Sequence, residues 1–180
     1  MKEFTLQTEL WLPRPRIEVF AFFAEARNLE ALTPPWLKFE VLTPAPIVMR
    51  PGALIDYRIR VHGIPLRWRT EIAVWEPPHQ FVDRQLRGPY TLWHHTHTFE
   101  ERDGGTLCLD RVRYRPRGGA LIHWLFVRRD VERIFQYRQQ RMKELLGHKA
   151  DETVHPAIED GAGRLESHPS ARRFIGRDHS

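Results

Sequence analysis

Between Leu54 and Tyr114 the sequence alternates apolar and polar residues in segments separated by tight-turn residues. Ile55, Tyr57, Ile59 and Val61 oppose Asp56, Arg58 and Arg60, and Leu66, Trp68, Thr70, Ile72 and Val74 oppose Arg67, Arg69 and Glu71. Side chains alternate across a strand, so each segment offers one face to a core and the other to water. His62-Gly63-Ile64-Pro65, Pro77-Pro78, Gly88-Pro89 and Asp103-Gly104-Gly105 punctuate the run as turns. Strands joined by such short turns pair antiparallel. One clean apolar face then demands a cover.

The cover is written at the C-terminal end. Trp124, Val127, Val131, Ile134, Arg138, Met142 and Leu145 recur at helical spacing. They predict one amphipathic helix over about 120–146, stopped by Gly147. Upstream, residues 2–12 alternate as a first strand, and Pro13 and Pro15 end it. Ile17, Phe20, Ala21, Phe23 and Ala24 then predict a short helix, and Asn28 opens a second over 29–32. Residues 36–42 are read as the second strand. The prediction is a two-layer α+β domain over residues 1–149, with a seven-stranded sheet. Residues 150–180 are rich in Gly, His, Arg, Asp and Ser and are read as a flexible polar tail.

Bulk properties exclude several classes. No stretch approaches the ~20 apolar residues of a membrane span. The first residues lack the apolar core of a signal peptide. The single Cys108 rules out an internal disulfide and any paired-cysteine metal site, and a cytoplasmic location is expected. The formal charge is +5, but the basic residues are spread along the whole chain. A solvated basic surface is expected, and no nucleic-acid partner. Oligomeric state is left open.

The densest chemistry lies in Trp93-His94-His95-Thr96-His97-Thr98-Phe99. Alternation places Trp93, His95, His97 and Phe99 on one strand face. Inward-facing Tyr57, Trp68 and Thr70 follow from the neighbouring strands.

In element order and motif set the chain resembles the SRPBCC (START/Bet v 1-like, helix-grip) superfamily, and more narrowly its bacterial polyketide cyclase/dehydrase-like ligand-binding proteins. The resemblance rests on residues 28–36 (Asn-Leu-Glu-Ala-Leu-Thr-Pro-Pro-Trp), Pro51-Gly52 with Asp56-Tyr57, Trp68-x-Thr70-x-Ile72 and Trp75-Glu76-Pro77-Pro78. It continues through Phe81-x-Asp83-x-Gln85-x-x-Gly88-Pro89-Tyr90, Trp93-x-His95-x-His97-x-Phe99 and Asp110-x-Val112-x-Tyr114. It spans residues 4 to about 147. It implies a curved sheet wrapped on the C-terminal helix, a hydrophobic cavity between them, a small hydrophobic or aromatic ligand, and no metal or other cofactor. By motif position Asp83, Gln85, Trp93, His95, His97, Asp110 and Tyr114 join Tyr57, Trp68 and Thr70 as ligand-site candidates.

These residues admit more than one chemistry. His–Asp pairs on neighbouring strands satisfy each other, and such a network can simply support the sheet. Alternatively, His95 or His97 serves as general base on an enolisable carbonyl compound, with Tyr57 or Tyr114 as donor to the enolate oxygen. That would be a cyclase or dehydratase. His95-x-His97 with Asp110 also has the residue types of a metal site, although a His–Asp network imitates it. Trp36, Trp68 and Trp93 are candidates to stack on a flat ligand or to fill the core. A further alternative is a non-enzymatic interaction protein that uses its basic surface.

Overall fold

The computed structural model describes residues 2–147. The elements are β1 (Phe4–Leu12), α1 (Arg16–Ala24), α2 (Asn28–Leu32), a 3-10 turn (Pro35–Leu37) and β2 (Glu40–Val41). Then come β3 (Leu54–Val61), β4 (Ile64–Glu76), β5 (Gln80–Arg87), β6 (Tyr90–Arg102) and β7 (Gly105–Pro116). The C-terminal helix starts as α3 (Gly119–Ile122), passes through a π turn (His123–Val127) and continues as α4 (Arg128–Leu146). The strands form one seven-stranded sheet in the order β1-β7-β6-β5-β4-β3-β2, antiparallel throughout. This is the expected helix-grip α+β architecture. The expected tail, 150–180, lies outside the described residues.

Turn chemistry fixes the hairpins. His62-Gly63 and Asp103-Gly104 each hold two consecutive residues at positive φ, which is the two-residue loop matching the twist of antiparallel strands. Each brings its flanking strands into register, Val61 facing Ile64 and Arg102 facing Gly105. The alternating faces then stack. Ile55, Tyr57, Ile72, Phe81, Phe99 and Val112 are buried on the concave side. Val131, Phe135 and Met142 of α4 close over it. Each such fully buried side chain contributes on the order of 1.5–3 kcal/mol.

Two expectations are corrected here. The strand read over residues 36–42 shrinks to Glu40–Val41, because Pro34-Pro35 starts a 3-10 turn and Lys38 is left-handed at φ 43. Trp36 therefore packs on Tyr137, under the guanidinium of Arg133, away from the concave face. The C-terminal helix is not a single uninterrupted α-helix. Its π turn inserts an extra residue and rotates the upstream part about its axis. His123 thus points inward, stacked on Phe4 at 3.4 Å, and Trp124 of the predicted apolar stripe is exposed.

Candidate functional site

A cavity of about 200 Å³ lies between the concave sheet face and α4. Phe22, Phe23, Leu29, Phe39, Met49 and Ile55 supply much of its apolar wall, and Ile134 and Phe135 roof it. The sheet contributes Tyr57, Trp68, Thr70, Asp83, Trp93, His95 and His97, all singled out by alternation or motif position. Trp68 and Trp93 meet edge to face with centroids 5.2 Å apart, and the Trp68 indole N–H donates to Thr70 Oγ1 at 3.1 Å. That N–H is thereby satisfied in a poorly hydrated wall. Burial pushes the Tyr57 and Tyr90 hydroxyls well above their ordinary range, so both stay neutral.

Gln85, Asp110 and Tyr114 do not line the cavity. The Gln85 side chain turns to the Tyr90 backbone, donating to its carbonyl at 2.7 Å and closing the β5–β6 turn at Gly88-Pro89. Tyr114 is buried beneath Tyr90 and Trp93, with its hydroxyl 3.0 Å from His123 Nε2. Asp110 stands one strand behind the cavity wall.

There it completes a quartet. Cross-strand register sets Asp83 opposite His95 and Asp110 opposite His97. His97 Nε2 is 3.0 Å from Asp83 Oδ2, and His95 Nε2 is 3.0 Å from Asp110 Oδ1. These two bonds run diagonally; across the directly opposite pairs, His97 Nδ1 lies 2.8 Å from Asp110 Oδ1 and His95 Nδ1 lies 3.5 Å from Asp83 Oδ2. The His97–Asp110 contact is short but misaligned for a hydrogen bond, so its attraction is that of an ion contact. Both imidazoles are almost wholly buried, His95 at 4% exposure and His97 at 3%.

Electrostatics gives the two histidines different roles. Burial opposes charge on His97, but the Asp110 carboxylate in ion contact and the hydrogen bond to Asp83 outweigh it, raising its pKa. His97 is the imidazolium of the quartet, and it stacks on Phe81 at 4.1 Å. Burial and the neighbouring His97 charge lower the pKa of His95, with only partial compensation from Asp110. His95 is neutral, its Nε2–H donating to Asp110 and its Nδ1 lone pair left at the long 3.5 Å contact. Burial alone would raise both carboxyls. The histidines outweigh it, so Asp83 is lowered and Asp110 lies well below the usual carboxylate range. Two groups favoured as carboxylates face one histidine favoured as imidazolium, so the quartet calls for a further cation.

The compensating charge comes from Arg138, on the cavity wall where the apolar helix stripe would place an aliphatic residue. Its guanidinium lies over Phe23 at 5.5 Å and helps hold Asp83 ionised. Its Nε is buried without a hydrogen-bond partner among the described residues. Asp83, His95 and His97 also each offer a ligand atom, all within 4.8 Å of one another, close enough to hold a cation. The Asp83 carboxylate already contacts both histidines, so a cation would compete with those ion contacts for it.

A curved antiparallel sheet gripping a long C-terminal helix above an apolar cavity defines a helix-grip protein of the Bet v 1-like class. The family model described as "Polyketide cyclase / dehydrase and lipid transport" matches residues 12–143, and the chain belongs to that family. Among solved structures, protein Ms6760 from Mycobacterium smegmatis is similar at TM-score 0.60 and 21% identity, covering 78% of this chain and 89% of its own. Protein CV1439 from Chromobacterium violaceum is similar at TM-score 0.64 and 14% identity, covering 81% and 99%. Ginseng major latex-like protein 151 from Panax ginseng has TM-score 0.57 and 6% identity, covering 80% and 97%. At these identities the likeness is one of fold. A comparison with curated protein sequences gave no match. No helix among the described residues is long and apolar enough to cross a membrane.

Proposed function

We propose that this protein binds a small hydrophobic or aromatic molecule in the cavity, and that the molecule carries an oxygen-bearing polar end. The observation that carries the reading is Arg138. A buried guanidinium Nε without a partner, beside an apolar space, is a costly arrangement that a ligand oxygen would relieve. At about 200 Å³ the cavity exceeds the 150 Å³ that accommodates benzene. Tyr57, Trp68, Thr70, Trp93 and His95 would line the ligand, and Asp83, His97 and Asp110 would fix the charge and tautomer of His95. The reading goes with a cytoplasmic location, in keeping with a lone buried cysteine whose thiol burial pushes up to about 12.

Anilinonaphthalene sulfonate, an aromatic anion, tests the proposal by fluorescence titration. Wild type is expected to bind it. Arg138→Met should weaken binding by roughly ten- to a hundred-fold, the worth of a charge-assisted hydrogen bond. Thr70→Trp, which fills the cavity, should abolish it. A folded Thr70→Trp protein that binds as wild type does would sink the reading. Native mass spectrometry of the protein from its source would then identify the natural ligand.

The neutral state of His95 favours a second reading, a cyclase- or dehydratase-type reaction. A general base needs an unprotonated nitrogen, a form that the lowered pKa of His95 favours and the raised pKa of His97 opposes. In that case His95→Ala abolishes turnover of an enolisable substrate and leaves ligand binding intact.

A further inference from the structure

Residues 111–129 contain six arginines and no Asp or Glu, and in their middle stands Leu121-Ile122-His123-Trp124-Leu125-Phe126. A helix turns about 100° per residue, so Leu121, Ile122, Trp124, Leu125 and Phe126 cover more than half its circumference. All five are exposed, Trp124 by 72% and Leu121 by 67%. The π turn creates this arrangement by making His123 the residue that faces inward. The β3–β4 hairpin lies alongside, with His62 packed on Phe126 and 2.7 Å from Asp130. It adds exposed Ile64. Soluble monomers rarely leave such a contiguous apolar surface uncovered.

The rim is basic. Arg67, Arg87 and Arg117 surround one hollow beside Leu86, and none of the three has an ion-pair partner among the described residues. The acids nearby are already engaged, Asp130 with His62 and Glu132 with Arg128. A second copy meeting this patch about a two-fold axis would set arginine against arginine. Lipid phosphates would neutralise the same arginines, and Trp and Phe are the aromatics that settle at a headgroup boundary.

We propose that this end of the molecule docks on an anionic phospholipid surface. Leu121, Trp124, Leu125 and Phe126 enter the headgroup–acyl boundary, and Arg67, Arg87 and Arg117 meet phosphates. Pro89 and Tyr90 line both the basic hollow and the cavity, so docking brings one end of the cavity to the lipid. The docking does not depend on what the cavity holds.

Flotation of the full chain with phosphatidylcholine vesicles, with and without one-third phosphatidylglycerol, tests the proposal. Binding is expected to the anionic vesicles and to weaken as salt rises. Replacing Arg67, Arg87 and Arg117 with Gln should cost roughly five-fold in affinity per arginine. The double variant Trp124→Ser/Phe126→Ser should lose at least about ten-fold. These side chains are exposed, so circular dichroism and cavity-dye binding should stay as in wild type. Trp124 emission should shift to the blue on vesicles, and the shift should vanish in Trp124→Phe. Absence of binding to anionic vesicles would overturn the proposal, as would unchanged binding by the variants. A wild-type dimer that Trp124→Ser/Phe126→Ser converts to monomer would assign the patch to a second copy instead.

Discussion

Asp110→Asn is expected to remove about 3–5 kcal/mol of stability, the usual cost of deleting one partner of a buried ion pair. The carboxylate is 7% exposed and contacts both His95 Nε2 and His97 Nδ1. Without it the His97 imidazolium keeps only Asp83, in surroundings that cannot solvate charge. For a chain of this length the loss corresponds to a fall in Tm of roughly 6–20 °C. Urea denaturation measures it. A loss under about 1 kcal/mol would show that the quartet is not held by charge. Replacing both partners, as in Asp110→Leu/His95→Phe, should cost less than the single change, because no lone charge remains.

The pH dependence of this difference carries the sign of each shift. Asp110 has a depressed pKa, so its contribution is full above the ordinary carboxylate value of about 4 and is lost as pH falls through the lower folded value. His97 has a raised pKa, so its contribution is full below about 6.5 and is lost as pH rises through the raised value. The gap between wild type and Asp110→Asn should therefore be widest between about pH 4 and 6.5 and narrow on both sides. A gap that keeps growing above neutrality would contradict the assignment of the charge to His97.

Much of this architecture was legible because period-two patterning and turn chemistry act locally. His62-Gly63 and Asp103-Gly104 are hairpins for a reason confined to those dipeptides, and alternation alone put Trp93, His95, His97 and Phe99 on one face. What pattern could not supply was geometry between elements. Asp83 and Asp110 could be placed on the concave face, but not the side-chain distances that favour charge on His97 and oppose it on His95. Gln85 shared the inward parity and was lost to a turn, since the Tyr90 backbone competes for its amide. The π turn altered the helix phase without a sequence signature, which is why Trp124 was expected inside. Arg138 is the opposite case. Its signal was present, a charged residue in the series Val131, Ile134, Arg138, Met142, and its meaning depended on knowing that a cavity lay beneath. Phe22 and Phe23 line that cavity from α1 because of how the helix docks, which spacing along the helix does not specify.

Phe135→Ala should cost a similar 3–5 kcal/mol, for a different reason. Phe135 is 4% exposed, packs with Val112, Tyr114 and Val131, and meets the His95 ring edge to face at 5.5 Å. In a closed core the neighbours partly collapse into the space left by a lost ring. Here the new space joins an existing cavity between a rigid sheet and a long helix, so little collapse is available and the cost should sit high in its range. Thermal denaturation measures the loss, and Phe135→Leu should recover more than half of it. A loss below about 1 kcal/mol would mean that α4 does not roof the cavity at this point. The ring also covers one side of the His95 imidazole. Removing it admits water beside His95, and solvated charges are less costly to unpair. The double variant Phe135→Ala/Asp110→Asn should therefore lose less than the sum of the single losses, by 0.5 kcal/mol or more on the order seen for coupled neighbours. Strict additivity would separate the roof from the quartet, and ligand entry would then not be felt by His95.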